Sequence, residues 1–371
     1  MKIGYEAKRV FHNKTGLGNY SRDLVRILAH FYPDNQYLLY NPKKNKEVLF
    51  QNASENVVEK LPATPFYKKF YNLWRQKGIL SDLVNDKVEI FHGLSGELPT
   101  GLKAKNIKSV VTIHDLIFMR YPNLYSFFDR KIHYLKFKKA ANQADLVIAI
   151  SEQTKEDIIT YLKIPSEKIQ VIYQGCQAVF KQKYSETEKE KAIQKFQLPK
   201  QFLLNVGTLE ERKNAFSIVK AIKDLDIHLV LIGKETDYSK QIREYCAANN
   251  LEHRVHFLKG LTSKELAIVY QLATIFIYPS VFEGFGIPII EALFSKTPVI
   301  TTNSGVFPEA GGPDSCYVNP MDVSEIKNTI DSLWQNEIQR KEMAEKGFEF
   351  VQKFNDEVIA KQLMQAYHDL F

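Results

Sequence analysis

Residues 279–292 read P-S-V-F-E-G-F-G-I-P-I-I-E-A, and the order of residue types in this stretch decides what surrounds it. The apolar run Ile275–Pro279 has strand composition, Gly284 and Gly286 permit a tight turn, and Pro288 stands where helices accept proline, in the first turn. Strand, glycine turn and helix in that order form part of a βαβ unit. Free backbone N–H groups at the helix start then offer an anion or hydroxyl site at the strand's carboxyl end. Glu283 falls in the turn and Glu291 one turn into the helix, so both carboxylates can face one side and accept hydrogen bonds from vicinal hydroxyls. Sugars present such hydroxyls. The alternative for Glu291 is a first-turn acid favoured by the helix dipole.

Outward from this segment, short β-branched runs alternate with amphipathic stretches, the pattern of parallel sheets built from βαβ units. Strands are expected at Lys2–Tyr5, Tyr37–Tyr40, Val88–His92, Lys108–His114, Asp145–Ile150 and Ile169–Tyr173. A second series follows at Phe202–Gly207, His228–Gly233, Arg254–Leu258, Ile275–Pro279 and Pro298–Thr302. Between them Lys181–Lys191 is charged and lacks apolar periodicity, which places a domain boundary there. The expected organisation is α/β, with two Rossmann-like doubly wound domains, residues 1–182 and 183–355, facing a shared cleft. A last helix, residues 356–371, has nothing after it to pair with and is expected to return to the first domain.

A length of 371 residues agrees with two domains. With 44% hydrophobic and 25% charged residues, 17 Gly and 14 Pro, the composition excludes a disordered or collagenous chain. No apolar run approaches the ~20 residues of a transmembrane helix, and the start lacks a signal-like apolar stretch, so a cytoplasmic location is expected. Cys176, Cys246 and Cys316 have no paired spacing and read as free thiols. Charge is uneven. Residues 1–185 carry 29 Lys and Arg against 17 Asp and Glu, whereas residues 186–371 carry 21 against 26. A basic first half suits an anionic membrane, nucleic acid or a phosphorylated substrate.

Other segments carry chemistry of their own. In Val206–Asn214, V-G-T-L-E-E-R-K-N, the adjacent cations Arg212 and Lys213 can stabilise negative charge that grows on a bound phosphate group. The alternative for Arg212 is a solvated base paired with Glu210 or Glu211. His114, in T-I-H-D-L at Thr112–Leu116, ends an apolar strand where such domains present functional groups; it is otherwise a capping histidine. Asp115 is expected to hold that turn. Gly16 and Gly18, in T-G-L-G-N-Y at Thr15–Tyr20, let backbone approach a ligand, although glycine loops are common.

In this order, with Asn303–Gly311, N-S-G-V-F-P-E-A-G, these segments resemble the retaining glycosyltransferases of family 4, whose signature is E-x7-E. The resemblance spans nearly the whole chain. It implies the GT-B fold, with the nucleotide-sugar donor held mainly by the second domain and a saccharide or lipid-linked acceptor by the first. It implies catalytic roles for His114, Glu283, Arg212 and Lys213. Donor contacts are implied at Gly16, Gly18, Thr208, Arg212, Lys213, Gly233, Leu261, Glu283, Gly284, Phe285, Gly286, Ile287 and Glu291, with Glu291 on ribose hydroxyls and Glu283 on the sugar. Many relatives carry Arg at the position of Thr208, and Arg212 is expected to replace that charge. The motif forms resemble mannosyltransferases most, which favours GDP-mannose; UDP- and dTDP-sugars are the alternatives. No metal or other cofactor is expected, and no nucleic-acid partner.

Asp224-Leu225-Asp226 has the D-x-D spacing of a metal-binding class, but it precedes a strand and so lies at the wrong edge of the sheet. His228, His253 and His256 lack metal-ligand spacing. Phe66–Lys77 holds five aromatics, four bases and no acid. Read as one helix, it lines up Phe66, Phe70 and Trp74 and points Lys68 and Arg75 away, either as a core helix or as a surface for an anionic membrane. Two rival functions are a GT-B nucleotide-sugar epimerase and a basic binding protein; the latter leaves Glu283, Glu291, Arg212 and Lys213 unexplained.

Overall fold

Near-continuous apolar runs flanked by helices favour strands buried on both faces, and every strand pair among the described residues is parallel. The computed structural model describes residues 1–44, 49–50 and 54–371. The first sheet has strands β1 (Lys2–Glu6), β2 (Gln36–Tyr40), β3 (Val57–Lys60), β4 (Ile90–Gly93), β5 (Lys108–Ile113), β6 (Leu146–Ala149) and β7 (Ile169–Val171), in the order β3-β2-β1-β4-β5-β6-β7. The second has β8 (Leu203–Val206), β9 (Leu229–Ile232), β10 (Val255–Leu258), β11 (Ile275–Tyr278), β12 (Val299–Thr302) and β13 (Cys316–Val318), in the order β10-β9-β8-β11-β12-β13. Two of these strands, β3 and β13, escape the sequence reading. Both are short edge strands; in β3 only Val57 is buried, so no apolar run marks it.

The chain folds as two units, Met1–Gly175 with Asn355–Phe371, and Cys176–Phe354. The first boundary therefore falls at 175/176 rather than at 182/183. Phe180 is buried and meets Tyr270 edge-on at 5.7 Å, and Lys181 lies over the Phe294 ring, which ties this segment to the second unit. Lys181–Lys191, read as the domain boundary for its lack of apolar periodicity, contains the start of a helix, Glu186–Phe196. A Ser185–Glu188 capping box starts that helix, and Lys195–Glu265 and Lys264–Glu188 ion pairs hold it. Only Ala192 is buried, so the helix has no apolar stripe to announce it.

The last helix, Asp356–His368, belongs to the first unit, where Ile359, Leu363, Met364 and Tyr367 join Leu24, Leu28 and Tyr37 in one core. Strand order then locates the sites. Connections reverse between β1 and β4 in the first sheet and between β8 and β11 in the second. Crevices at such switch points, beyond the carboxyl ends of the strands, are where open α/β sheets take ligands.

Candidate active site

At the second switch point β8 leads into Gly207–Lys213 and β11 into Pro279–Gly286, so parallel pairing brings together two loops some 70 residues apart. Their charged side chains meet. Glu283 Oε1 accepts from Arg212 Nη1 at 2.8 Å, Lys213 Nζ at 2.7 Å, Tyr278 OH at 2.8 Å and Ser280 Oγ at 2.9 Å. Burial alone would raise this carboxyl, but Lys213 and Arg212 outweigh it and hold Glu283 below its ordinary value. Arg212 also donates to the Phe282 carbonyl and pairs with Glu210 at 2.7 Å; Lys213 donates to the Tyr278 hydroxyl and lies over its ring.

Arg212, Lys213 and Glu283 form one ion cluster in which the carboxylate holds both cations in place. Arg212 also makes the pair with Glu210 that its alternative reading expects, but from a largely buried position rather than from solvent. Its backbone is fixed too, for the Arg212 carbonyl accepts from Val281 N at 2.8 Å. Tyr278 and Ser280 were missing from the sequence reading, although their places at the end of β11 give a signal that the switch-point rule can use.

Glu291 lies on the helix Ile287–Phe294, which starts at Gly286 with φ +109, a left-handed conformation that favours glycine. Tyr270 OH donates to Glu291 Oε2 at 3.1 Å, and no cation pairs with it among the described residues. Burial consequently pushes its carboxyl up to about 8. Phe285 turns its ring inward against Phe354, leaving the Gly284–Ile287 backbone as the polar part of this turn. Thr208 follows Gly207 beyond β8, Lys234 follows Gly233 beyond β9, and Leu261 lies beyond β10, so all three positions occupy the carboxyl edge. Gly233 has a packing reason of its own: a Cβ there would lie 1.8 Å from the Gly207 carbonyl oxygen.

In the first unit His114 follows β5 directly. Its Nε2 lies 2.9 Å from the Leu94 carbonyl and its Nδ1 3.2 Å from Gln174 Nε2. A carbonyl can only accept, so Nε2 carries the hydrogen and Nδ1 accepts from the Gln174 amide. Burial pushes His114 down to about 4, which keeps the ring uncharged. Asp115 holds the following turn by accepting from Ile117 N at 3.1 Å. Gly16 and Gly18 begin the helix Gly16–Phe31, whose start is organised by Asn13: its Oδ1 accepts from the backbone N–H groups of Thr15 and Gly18. A Cβ at Gly18 would lie 1.9 Å from the Asn13 carbonyl oxygen, whereas one at Gly16 meets nothing within 4 Å. Gly18 thus serves packing, and Gly16 leaves open backbone.

The Phe66–Lys77 segment is not one helix. It breaks at Phe70 (φ −105, ψ 51), and a π-helical turn follows over Trp74–Gly78. Phe66 and Phe70 are about half exposed, while Trp74 is 1% exposed and donates to Asp82. Arg75 does not point away: it bonds Glu6 at 2.9 Å and Glu97 at 2.6 Å, and is 11% exposed. The Asp224 turn lies before β9, at the amino edge, where Asp224 pairs with Lys327. Among the described residues no group of three His, Cys, Asp or Glu is arranged to hold a metal ion.

Known proteins resemble the chain in sequence and in fold. The family model described as Glycosyltransferase Family 4 matches residues 16–178, and that described as Glycosyl transferases group 1 matches residues 186–350. O-antigen chain mannosyltransferase B of Escherichia coli is 25% identical over 385 residues, covering 99% of each chain. O-antigen chain mannosyltransferase RfbU of Salmonella typhimurium is 32% identical over 61% of this chain and 60% of its own. Sucrose-phosphate synthase from Thermosynechococcus elongatus has a TM-score of 0.82 at 22% identity, over 100% of this chain and 99% of that one. Anabaena HepE, solved in complex with UDP, has a TM-score of 0.76 at 17% identity over 100% of both chains. With each half matched in sequence and the whole chain matched in fold, the protein belongs to the GT-B glycosyltransferases of family 4.

Proposed function

We propose that the enzyme is a retaining mannosyltransferase that moves mannose from GDP-mannose to a saccharide or lipid-linked acceptor in cell-surface polysaccharide or glycolipid synthesis. The Arg212–Lys213–Glu283 cluster carries this reading. Two cations pinned at a switch point, beside a glycine turn that opens a helix, suit a leaving diphosphate whose charge grows as the glycosidic bond breaks. Glu291, apart from that cluster, suits the ribose hydroxyls. The O-antigen mannosyltransferases among the relatives support the choice of mannose.

Glu283 Oε1 is committed to four donors, and uncharged His114 uses both ring nitrogens. Neither suits the role of a nucleophile that would form a covalent glycosyl-enzyme. The reading is therefore front-face substitution: the bond from the anomeric carbon to phosphate oxygen breaks, the bond to the acceptor oxygen forms on the same face, and the acceptor's proton passes to the departing phosphate oxygen. Arg212 and Lys213 hold the resulting charge, so no divalent metal is required. Incubation with GDP-mannose, UDP-glucose and dTDP-glucose, each with and without p-nitrophenyl α-mannoside, tests this, with product anomers read by NMR. An inverted product refutes retention. Loss of activity in EDTA that Mg²⁺ or Mn²⁺ restores refutes the cation role. Conversion of the nucleotide-sugar without acceptor favours an epimerase.

A peripheral contact with the inner face of an anionic cell membrane belongs to the same reading. No helix of the described residues is long and apolar enough to cross a membrane. On the helix Phe127–Gln143, however, Phe127, Phe128, Ile132 and Leu135 are 67%, 76%, 62% and 56% exposed. At 100° per residue they share one face with Lys131, Lys138 and Lys139. Apolar side chains among lysines suit a layer of anionic headgroups above acyl chains. Exposed Phe66 and Phe70, beside Lys68 and Lys69, extend the same chemistry.

A further inference from the structure

Five side chains of the first unit form a continuous hydrogen-bonded chain that the chemistry above does not use. Tyr5 OH lies 3.3 Å from Tyr367 OH, which lies 2.6 Å from His92 Nδ1; His92 Nε2 lies 2.8 Å from Thr112 Oγ1, which lies 3.3 Å from Tyr20 OH. Tyr5, His92, Thr112 and Tyr367 are 0% exposed, and Tyr20 alone is partly exposed. Burial pushes His92 down to about 3, with His114 adding to the effect, so its ring is neutral and has one donor and one acceptor nitrogen.

That neutrality leaves two directions for the chain, and burial chooses between them. If Nδ1 carried the hydrogen, His92 would donate to Tyr367 and Tyr367 to Tyr5. The Tyr5 hydroxyl hydrogen would then be enclosed with no acceptor among the described residues, at the desolvation cost of an unmet buried donor. With the hydrogen on Nε2, Tyr5 donates to Tyr367, Tyr367 to His92, His92 to Thr112 and Thr112 to Tyr20. Every other hydrogen is then used, and the one left over belongs to Tyr20, the one member of the chain that is not fully buried.

Tyr20, Tyr173 and Gln174 line a small cavity of about 20 Å³, room for a single hydroxyl, whose other walls are mostly aliphatic, and Tyr20 meets the His114 ring edge-on at 4.6 Å. Gln174 directs its amide N–H to His114 Nδ1, which leaves its carbonyl oxygen as an acceptor. A donor from Tyr20 and an acceptor from Gln174 on one cavity match a group that both gives and receives a hydrogen bond. We propose that Tyr20 and Gln174 form a subsite for a sugar hydroxyl, with Tyr20 donating to its oxygen and His92 and Tyr367 acting as positioning residues that fix the direction of that donation. The proposal rests on the glycosyltransferase reading and adds to it which first-unit groups read the saccharide. The hydroxyl can come from the acceptor or from the transferred sugar.

Tyr20→Phe removes only the hydroxyl. With GDP-mannose as donor and p-nitrophenyl α-mannoside as acceptor, the KM of one of the two is expected to rise about three- to tenfold, the range of one neutral hydrogen bond, while kcat changes less. A rise for the mannoside assigns the acceptor, and a rise for GDP-mannose the transferred sugar. Tyr367→Phe is expected to move the same KM in the same direction by a smaller factor, whereas thermal stabilisation by GDP stays within error in both variants. Two results overturn the proposal: both KM values within twofold of wild type in Tyr20→Phe, or kcat, both KM values and Tm all shifting together, as for a packing defect. A wild-type enzyme that transfers no mannose would count against the donor reading instead, and saturation-transfer NMR of methyl α-mannoside with wild type and Tyr20→Phe would still test the subsite. Equal saturation transfer in the two would overturn it.

Discussion

Glu291→Gln should make the protein more stable and less able to bind its nucleotide. The Glu291 carboxyl titrates at about 8 in the fold, because burial opposes its charge and no cation faces it, against 4.5 for a free side chain. A group raised in this way is protonated in the native state and ionised in the unfolded state between those two values. Its contribution to stability is therefore complete below pH 4.5, is lost as pH rises and levels off above 8. At about 1.4 kcal/mol per pH unit of the gap, burying Glu291 costs roughly 3 kcal/mol at pH 7 and somewhat more at pH 8. Glutamine keeps an oxygen for Tyr270 and never ionises. For a unit of this size, roughly 2–4 °C per kcal/mol converts to a Tm higher by roughly 6–12 °C at pH 7, shrinking towards zero near pH 4.5. Thermal melts from pH 5 to pH 9 measure this. Ribose hydroxyls donate best to the ionised carboxylate, so GDP binding should strengthen with pH towards 8 and release protons. Calorimetry in two buffers of different ionisation enthalpy detects that release, and in Glu291→Gln both the release and much of the affinity should vanish. A variant with the same Tm as wild type across this range, or with undiminished GDP affinity, would refute the reasoning.

Lys213→Ala should depress kcat by tenfold or more and leave binding of the nucleoside less affected than binding of the diphosphate, because the charge it meets grows as the bond breaks; equal losses for guanosine and GDP would contradict this. Glu283→Gln should lower activity even though it removes a negative charge near a phosphate site, since Arg212 and Lys213 lose their shared anchor; a faster enzyme would show that Glu283 only opposes diphosphate binding. Phe127→Ser with Phe128→Ser should weaken sedimentation with phosphatidylglycerol vesicles at physiological salt, and Lys131→Glu with Lys139→Glu should weaken it most at low salt, where screening is slight. Vesicle binding that survives both pairs would exclude this helix as the contact.

Glu283 and Glu291 were legible because a strand, a glycine turn and a helix are local objects: eight residues of sequence fix their relation to the turn. The partners of Glu283 were less so. Arg212 and Lys213 stand about 70 residues earlier, and only the pairing of β8 with β11 places their loop against Pro279–Gly286. The same gap explains Arg75. A helical wheel drawn over Phe66–Lys77 assumes one unbroken helix, but the break at Phe70 and the π-helical turn re-aim the residues that follow. Arg75 then meets Glu6 at the end of β1 and Glu97 after β4. The three charges bind a switch-point loop to its neighbours, so Arg75→Glu would place three acids together and perturb folding before it could report on membranes.

The helix Phe127–Gln143 shows the opposite failure. Phe118, His133 and Phe137 pack together beneath it, while Phe127, Phe128, Ile132 and Leu135 face outward, so apolar residues lie on both sides and no period emerges for a pattern search to find. Apolar side chains all around a helix ordinarily mean a buried helix, and here exposure alone distinguishes the case. Charge count hides it equally well, because the lysines that mark this face are counted together with all the other bases of a first half that is basic in total. Local grammar thus marks which residues are candidates for a ligand, whereas strand order reveals which charges neutralise one another and solvent exposure which faces remain uncovered. Glu283 and Glu291 follow from that distinction: the two acids belong to one short signature, yet two cations keep the first ionised and isolation raises the second to about 8. Their different electrostatics, which spacing cannot encode, fit the two roles proposed for them, the first as an anchor for cations that would meet a departing phosphate and the second as a proton-coupled grip on ribose.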